Sequence, residues 1–312
     1  MVINVNNTIT YYYDIRVDKI KENKDNEYLI YSGSDIYKFM IYNRSSDDIF
    51  DLYNLNKEMI NNNYIVDEII LNKNNNLLTN FDNKPFILIK LDIRKYSNKH
   101  NFNYYNNVIK LEKFKKINRC DWISMWCEKI DYYEYQISQF GNKYPILGEN
   151  LPFFIGISEN AIQYLIYNIN NNYTTKPVVS HKRLFFYDYV EDFYNPLNII
   201  IDSRVRDVAE YIKNMYFNGQ FNLDYVKRLI YFSNFSRDEF ILLFSRLLFP
   251  SYYYDQYDEI INNGEDEKKI INIIDKIDGF LDVIREIYFY IVNDIRIYIP
   301  QIEWLIKKDA TI

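Results

Sequence analysis

Cysteine, histidine, glycine and proline are all scarce in this chain of 312 residues, which has 2, 2, 7 and 7 of them respectively. Each scarcity excludes something. Cys120 and Cys127 cannot form a four-ligand thiolate site, and His100 and His181 lie too far along the chain to complete one. Seven residues apart on a helix, the two thiols would share a face, which predicts buried free cysteines and argues against metal or redox chemistry. No glycine-rich loop of the phosphate-cradling kind is visible; Ser32-Gly33-Ser34 is the nearest approach to one. Long apolar runs are missing too. The richest stretch, residues 287–299, is broken by Asn293, Asp294 and Arg296, so no transmembrane segment is expected. Residues 1–10 lack the apolar core of a secretory signal, which makes the cytoplasm the expected location. A surplus of positive charge is absent as well. The formal net charge is −6 with Lys and Arg dispersed, which argues against a nucleic-acid partner.

What is abundant is tyrosine, 33 residues, within a chain whose 48% hydrophobic content is enough for two lobes with cores of their own. Enrichment in Tyr, Asn, Ile, Lys and Asp is what an AT-rich genome produces. A second reading is that surface tyrosine serves association, because a phenol buries apolar area and keeps a polar tip. Tyr11-Tyr12-Tyr13 and Tyr252-Tyr253-Tyr254 are the clusters to watch.

The first third reads as β-rich. Residues 8–17 are aromatic and β-branched and suggest a strand; residues 28–32 and 36–42 suggest a hairpin turning at Gly33-Ser34. Ile49, Leu52, Leu55 and Met59 recur with helical spacing over residues 47–61, and residues 66–71 and 85–91 read as further strands. Beyond a polar stretch starting near Asp92 the chain is mostly helical. Trp122, Met125, Trp126, Ile130, Tyr133 and Ile137 fall on one stripe that ends at Gly141. Ser158 is a candidate cap for a following helix, Ser236 and Glu239 form a capping box, Pro250 ends that helix, and a long helical region starts near Glu265. This order predicts a β-rich N-lobe over residues 1–91 and a helical C-lobe over residues 92–312.

Two segments carry the chemistry. Pro177-Val178-Val179-Ser180-His181-Lys182-Arg183-Leu184 is an apolar strand that ends in His; residues 195–211 read NPLNIIIDSRVRDVAEY, an apolar strand that ends in Asp202 and runs into an acidic helix start. The pair resembles the aminoglycoside phosphotransferase and choline kinase branch of the protein-kinase-like superfamily. That branch writes the first segment as HGDLxxxN and the second as apolar-apolar-Asp before a DLA-type helix. The match is closer to spore coat members of the CotS/YutH type, in which the Asp is soon followed by Arg-Asp-Leu-Ala-Glu, here Arg206-Asp207-Val208-Ala209-Glu210. Residues 130–137, 143–145, 156–161 and 247–252 agree with that subgroup in their order. The resemblance implies an α+β, bilobal protein-kinase-like fold.

Phosphoryl transfer on such a scaffold needs a carboxylate beside the substrate hydroxyl, and Mg²⁺ held by an Asp and a loop amide. On that alignment the HGD position falls on His181-Lys182-Arg183, so a guanidinium, which cannot accept a proton, stands where the base belongs. Asp188 occupies the neighbourhood of the expected metal-binding Asn, Asp202 matches the metal-binding Asp, and Lys38 with Glu58 is the candidate phosphate-pairing couple. His181 and Asp207 also read as structural braces, and Asp202 as a partner of Arg204 or Arg206. The missing base and the missing glycine-rich loop point to a pseudokinase without cofactor that acts through protein partners, and the resemblance implies a role with spore coat components in coat assembly or germination. One alternative is a phosphotransferase using ATP and Mg²⁺, with Asp188 or Asp192 supplying the carboxylate. The other is a tyrosine-rich structural protein.

Overall fold

Val5, Ile9 and Tyr13 recur every four residues and are all buried, and this spacing prevails over the β-branched and aromatic composition around them. The segment expected as a strand over residues 8–17 therefore opens as a helix, α1 (Val2–Tyr13), in the computed structural model, which describes residues 2–24, 26–97, 109–170, 173–184 and 189–307. The chain divides into two compact units, Met1–Asn118 with Asp188–Ile201, and Arg119–Tyr187 with Asp202–Ile312.

In the first unit follow β1 (Lys19–Lys24), β2 (Glu27–Ser32), β3 (Asp35–Ile41), α2 (Ile49–Asn61), β4 (Glu68–Ile70), β5 (Thr79–Phe81) and β6 (Lys84–Lys90). The strands form an antiparallel sheet in the order β1-β2-β3-β6-β4, with β5 paired to β6. The expected hairpin is β2–β3. Gly33 turns it with φ +57°, a left-handed conformation that suits glycine, and its N–H donates to Asp18 at 2.7 Å. Tyr28, Ile30, Phe39, Phe86 and Leu88 pack against Val5, Ile9 and Tyr13 of α1.

On α2, Ile49, Leu52, Leu55 and Met59 are buried, as their spacing predicts. Asn56, buried beside them, locks α2 to β4: its amide donates to Asp67 O at 2.8 Å and its carbonyl accepts from Ile69 N at 3.0 Å. Asn56→Ala strands both backbone groups in a dry site. It is expected to lower unfolding stability by roughly 2–4 kcal/mol, read from the urea midpoint.

The second unit is built mainly from helices: α3 (Trp122–Phe140), α4 (Pro145–Asn168), α6 (Val205–Phe217), α7 (Leu223–Ser233), α8 (Arg237–Leu248) and α9 (Ser251–Asn263). β7 (Val178–His181) lies in this unit; α5 (Tyr189–Tyr194) lies in the first, and β8 (Ile199–Asp202) ends on Asp202. Asp121 caps α3, and Ser236 with Glu239 closes the expected box on α8. Ser158 caps nothing. It lies inside α4, where its hydroxyl bonds Phe154 O and Tyr254 Oη, each at 2.7 Å. The long helix expected from Glu265 is interrupted: a 3₁₀ turn (Glu267–Ile270) and α10 (Ile271–Ile274) precede α11 (Ile277–Phe289), and a short α12 (Glu303–Ile306) follows later.

Two expectations about side chains change here. Cys120 precedes α3 and is part-buried, while Cys127 is exposed on the side away from the buried stripe of Trp122, Trp126, Ile130 and Tyr133. Burial, aided by the Asp202 charge, pushes the Cys120 thiol up to about 12. Of the tyrosine clusters, Tyr253 and Tyr254 are fully buried and Tyr13 nearly so, whereas Tyr11 is exposed. Among the described residues no helix is long and apolar enough to cross a membrane.

Candidate functional site

The chain N-terminal to α6 brings Asp202 into the interior of the second unit. Asp202 is completely buried, and a bare carboxylate there would be prohibitively expensive. It is heavily paired instead. Its Oδ1 accepts from Trp122 Nε1 at 2.7 Å, Ser203 N at 2.6 Å and Arg246 Nη2 at 2.7 Å. Its Oδ2 accepts from the same Arg246 nitrogen at 2.8 Å and from Arg206 Nη1 at 3.0 Å. Arg246 projects from α8, and its guanidinium lies 5.5 and 5.8 Å from the rings of Trp122 and Trp126. Trp126 in turn stacks on Phe249. The expected partner Arg206 is thus present, while Arg204 goes to Glu239.

His181, at the end of β7, is buried against Asp207 near the start of α6. Its Nδ1 lies 2.7 Å from Asp207 Oδ2, and its backbone N–H donates to Oδ1 at 2.9 Å. Arg206 Nε donates to His181 O and Nη2 to Lys182 O, which fixes the backbone of this loop. Arg183 turns to carboxylates. Its Nε and Nη2 donate to Asp255 on α9, and Nη1 lies 3.5 Å from Glu210. Lys213 donates to Glu210 at 2.7 Å and to Ser251 Oγ at 2.6 Å.

Burial raises the carboxyls of Glu210 and Asp255, but the cations outweigh it and hold both below their ordinary values: Lys213, Arg183 and Arg206 around Glu210, Arg183 and Lys129 around Asp255. Burial pulls Lys213 down to about 8, against the attraction of Glu210. The depressed carboxyls stabilise the fold fully above the unfolded values of 4.5 and 3.8, and less as pH falls through and below them. The difference in stability between the wild type and Arg183→Gln is therefore expected to shrink from about pH 5 to about pH 3 in urea titrations.

The first unit holds the remaining candidates. Lys38, on β3, does not meet Glu58. It stands 3.6 Å from Glu27 and 3.6 Å from Glu191, while Glu58 pairs with Lys113. Asp192 lies on α5; Asp188 and His100 lie outside the described residues. Sequence reasoning missed Arg246, Asp255, Lys95 and Glu191. Each gains its role from a partner far along the chain, and no local spacing signals such a pairing.

A family model described as "Spore coat putative kinase YutH" matches residues 6–282. The endospore coat-associated protein YutH of Bacillus subtilis (strain 168) is 27% identical over 186 residues. That match takes in 52% of this chain and 52% of the relative, so the chain spans about half the length of the curated relative it matches. A solved structure described as a "putative aminoglycoside phosphotransferase" from Ralstonia eutropha JMP134 aligns with a TM-score of 0.51, over 91% of this chain and 97% of its own, at 6% identity. At that identity the likeness speaks for the fold, which is protein-kinase-like, with a small antiparallel sheet and a larger helical part. Since the family model runs through most of the chain, including the His181 and Asp202 segments, the chain belongs to the spore coat putative kinase YutH family.

Proposed function

We propose that this protein is a catalytically silent kinase-like protein that works by binding protein partners, with the spore coat as its setting. The observation that carries this reading is the state of Asp202, buried with both oxygens accepting from two guanidinium groups. Mg²⁺ needs carboxylate oxygens with free lone pairs and a net negative surrounding. Here two unit positive charges already face the one carboxylate, so the residues present do not fit the metal, and no transfer step is derived through it.

Arg183 supports the same reading, because it takes the place of a general base and is itself neutralised by Asp255 and Glu210. Lys38, drawn to Glu27 and Glu191, is not set up as half of a Lys–Glu couple with Glu58. The coat setting is supported by the family and by the name of the Bacillus subtilis relative. Purified protein incubated with ATP and Mg²⁺ is expected to release phosphate only at the background rate. A turnover that Asp202→Ala abolishes would refute the proposal.

A further inference from the structure

An apolar groove of about 340 Å³ lies wholly within the second unit, between α7, the start of α8 and the turn that follows α11. Phe235, Phe240, Ile295 and Ile297 line it, and Tyr231 and Phe232 stand at its edge. α7 buries Val226, Ile230 and Ser233, so Tyr231 and Phe232 fall off the buried stripe and are 62% and 74% exposed. The opposite wall is held by its backbone. A π-helical turn over Tyr290–Asp294 is closed by Ile295 N donating to Tyr290 O at 3.0 Å and Ile297 N donating to Ile291 O at 3.1 Å. An exposed aromatic knob therefore stands beside a hole lined by the same kind of atoms.

The charges around the groove indicate what covers it. Arg228 precedes Phe232 by one turn of α7, and Arg296 stands between Ile295 and Ile297. Both are exposed, and among the described residues neither has a hydrogen bond or an ion pair. The same holds for Asp224 and Asp294, although Asp224 lies only one turn before Arg228 on α7. Other charges nearby are already engaged: Arg204 pairs with Glu239, Arg237 with Asp238, and Lys227 lies 5.5 Å from the centre of the Tyr290 ring. The unpaired rim thus offers two cations and two anions, a net of zero. A partner of one sign would meet like charges as often as opposite ones. A surface with both signs in the same arrangement matches it, and a two-fold axis supplies that surface by laying the patch against its own copy.

We propose that this groove is the face through which two copies of the chain associate: Phe232 of each copy seats in the groove of the other, and the arginines of one rim meet the aspartates of the opposite rim. The proposal does not depend on what happens at Asp202. Sedimentation velocity on the full chain at rising concentration tests it. The wild type is expected to pass from monomer to dimer in the micromolar range, and Phe232→Ser to self-associate at least tenfold more weakly. Charge reversal gives the sharper comparison. Arg228→Asp/Arg296→Asp makes all four rim charges negative, and Asp224→Lys/Asp294→Lys makes them all positive. Each variant alone is expected to stay monomeric, and an equimolar mixture of the two to restore the dimer. All four positions are exposed, so both variants are expected to unfold at temperatures close to that of the wild type. A wild type that stays monomeric throughout overturns the proposal. So does a dimer that survives Phe232→Ser and both reversals, or a mixture of the two folded variants that fails to associate.

Discussion

Arg246→Met is expected to lower the stability of the second unit by about 3–5 kcal/mol, the size typical of breaking a buried ion pair from one side. Methionine keeps much of the apolar stem between Trp122 and Trp126 but leaves Asp202 in a dry interior with Arg206, Trp122 and a backbone N–H as its remaining donors. The loss is thus mostly the penalty of a carboxylate short of countercharge. Removing that carboxylate too should recover much of it. Arg246→Met/Asp202→Leu is expected to be more stable than Arg246→Met alone, and its loss is expected to fall short of the sum of the two single losses by roughly 1 kcal/mol or more, the size seen for contacting residues in double-mutant cycles. Urea midpoints for the four proteins measure it. Additive changes would show that Asp202 and Arg246 do not act as a pair.

Arg183→Asp, which puts a carboxylate at the position that the HGD alignment assigns to a general base, is expected to harm the fold and create no phosphotransferase. Asp255 and Glu210 both face Arg183, so the new side chain would bring a third carboxylate beside two that have just lost their shared cation. Lys213 still serves Glu210, and Lys129 stands 4.0 Å from Asp255. Arg183 is also part-exposed, which moderates the effect through solvent screening. A loss of about 2–4 kcal/mol is expected, read by urea unfolding, with ATP turnover still at background. A variant as stable as the wild type and active with ATP would mean that Arg183 alone silences the site.

Where the fold was legible in the sequence, local spacing and burial agreed. The α2 stripe, the β2–β3 hairpin around Gly33 and the Ser236–Glu239 box each depend on residues within a few positions of one another. α1 was misread because β-branched and aromatic composition suggested a strand, although the four-residue step of Val5, Ile9 and Tyr13 was there to be counted. α4 starts at Pro145, well before Ser158, the residue expected to cap it, and it contains Gly148, Pro152 and Gly156. Burial of Leu147, Leu151, Phe154, Ile155 and Ile157 holds the helix through them, and Ser158 finds Tyr254 across the core. The Asp202 and His181 segments were legible as a pattern. What pairs with them was not, since Arg246 and Asp255 lie on helices 44 and 72 residues away along the chain.

Thermal unfolding of the full chain with ATP, in the presence and absence of Mg²⁺, bears most directly on whether Asp202 is a clamped structural group or a metal ligand. If Arg246 and Arg206 hold it as they do here, ATP and Mg²⁺ together shift Tm no more than ATP alone. A stabilisation that needs both ATP and Mg²⁺, and that disappears in Asp202→Asn, would contradict the clamp and make Asp202 a metal ligand in a nucleotide-binding protein.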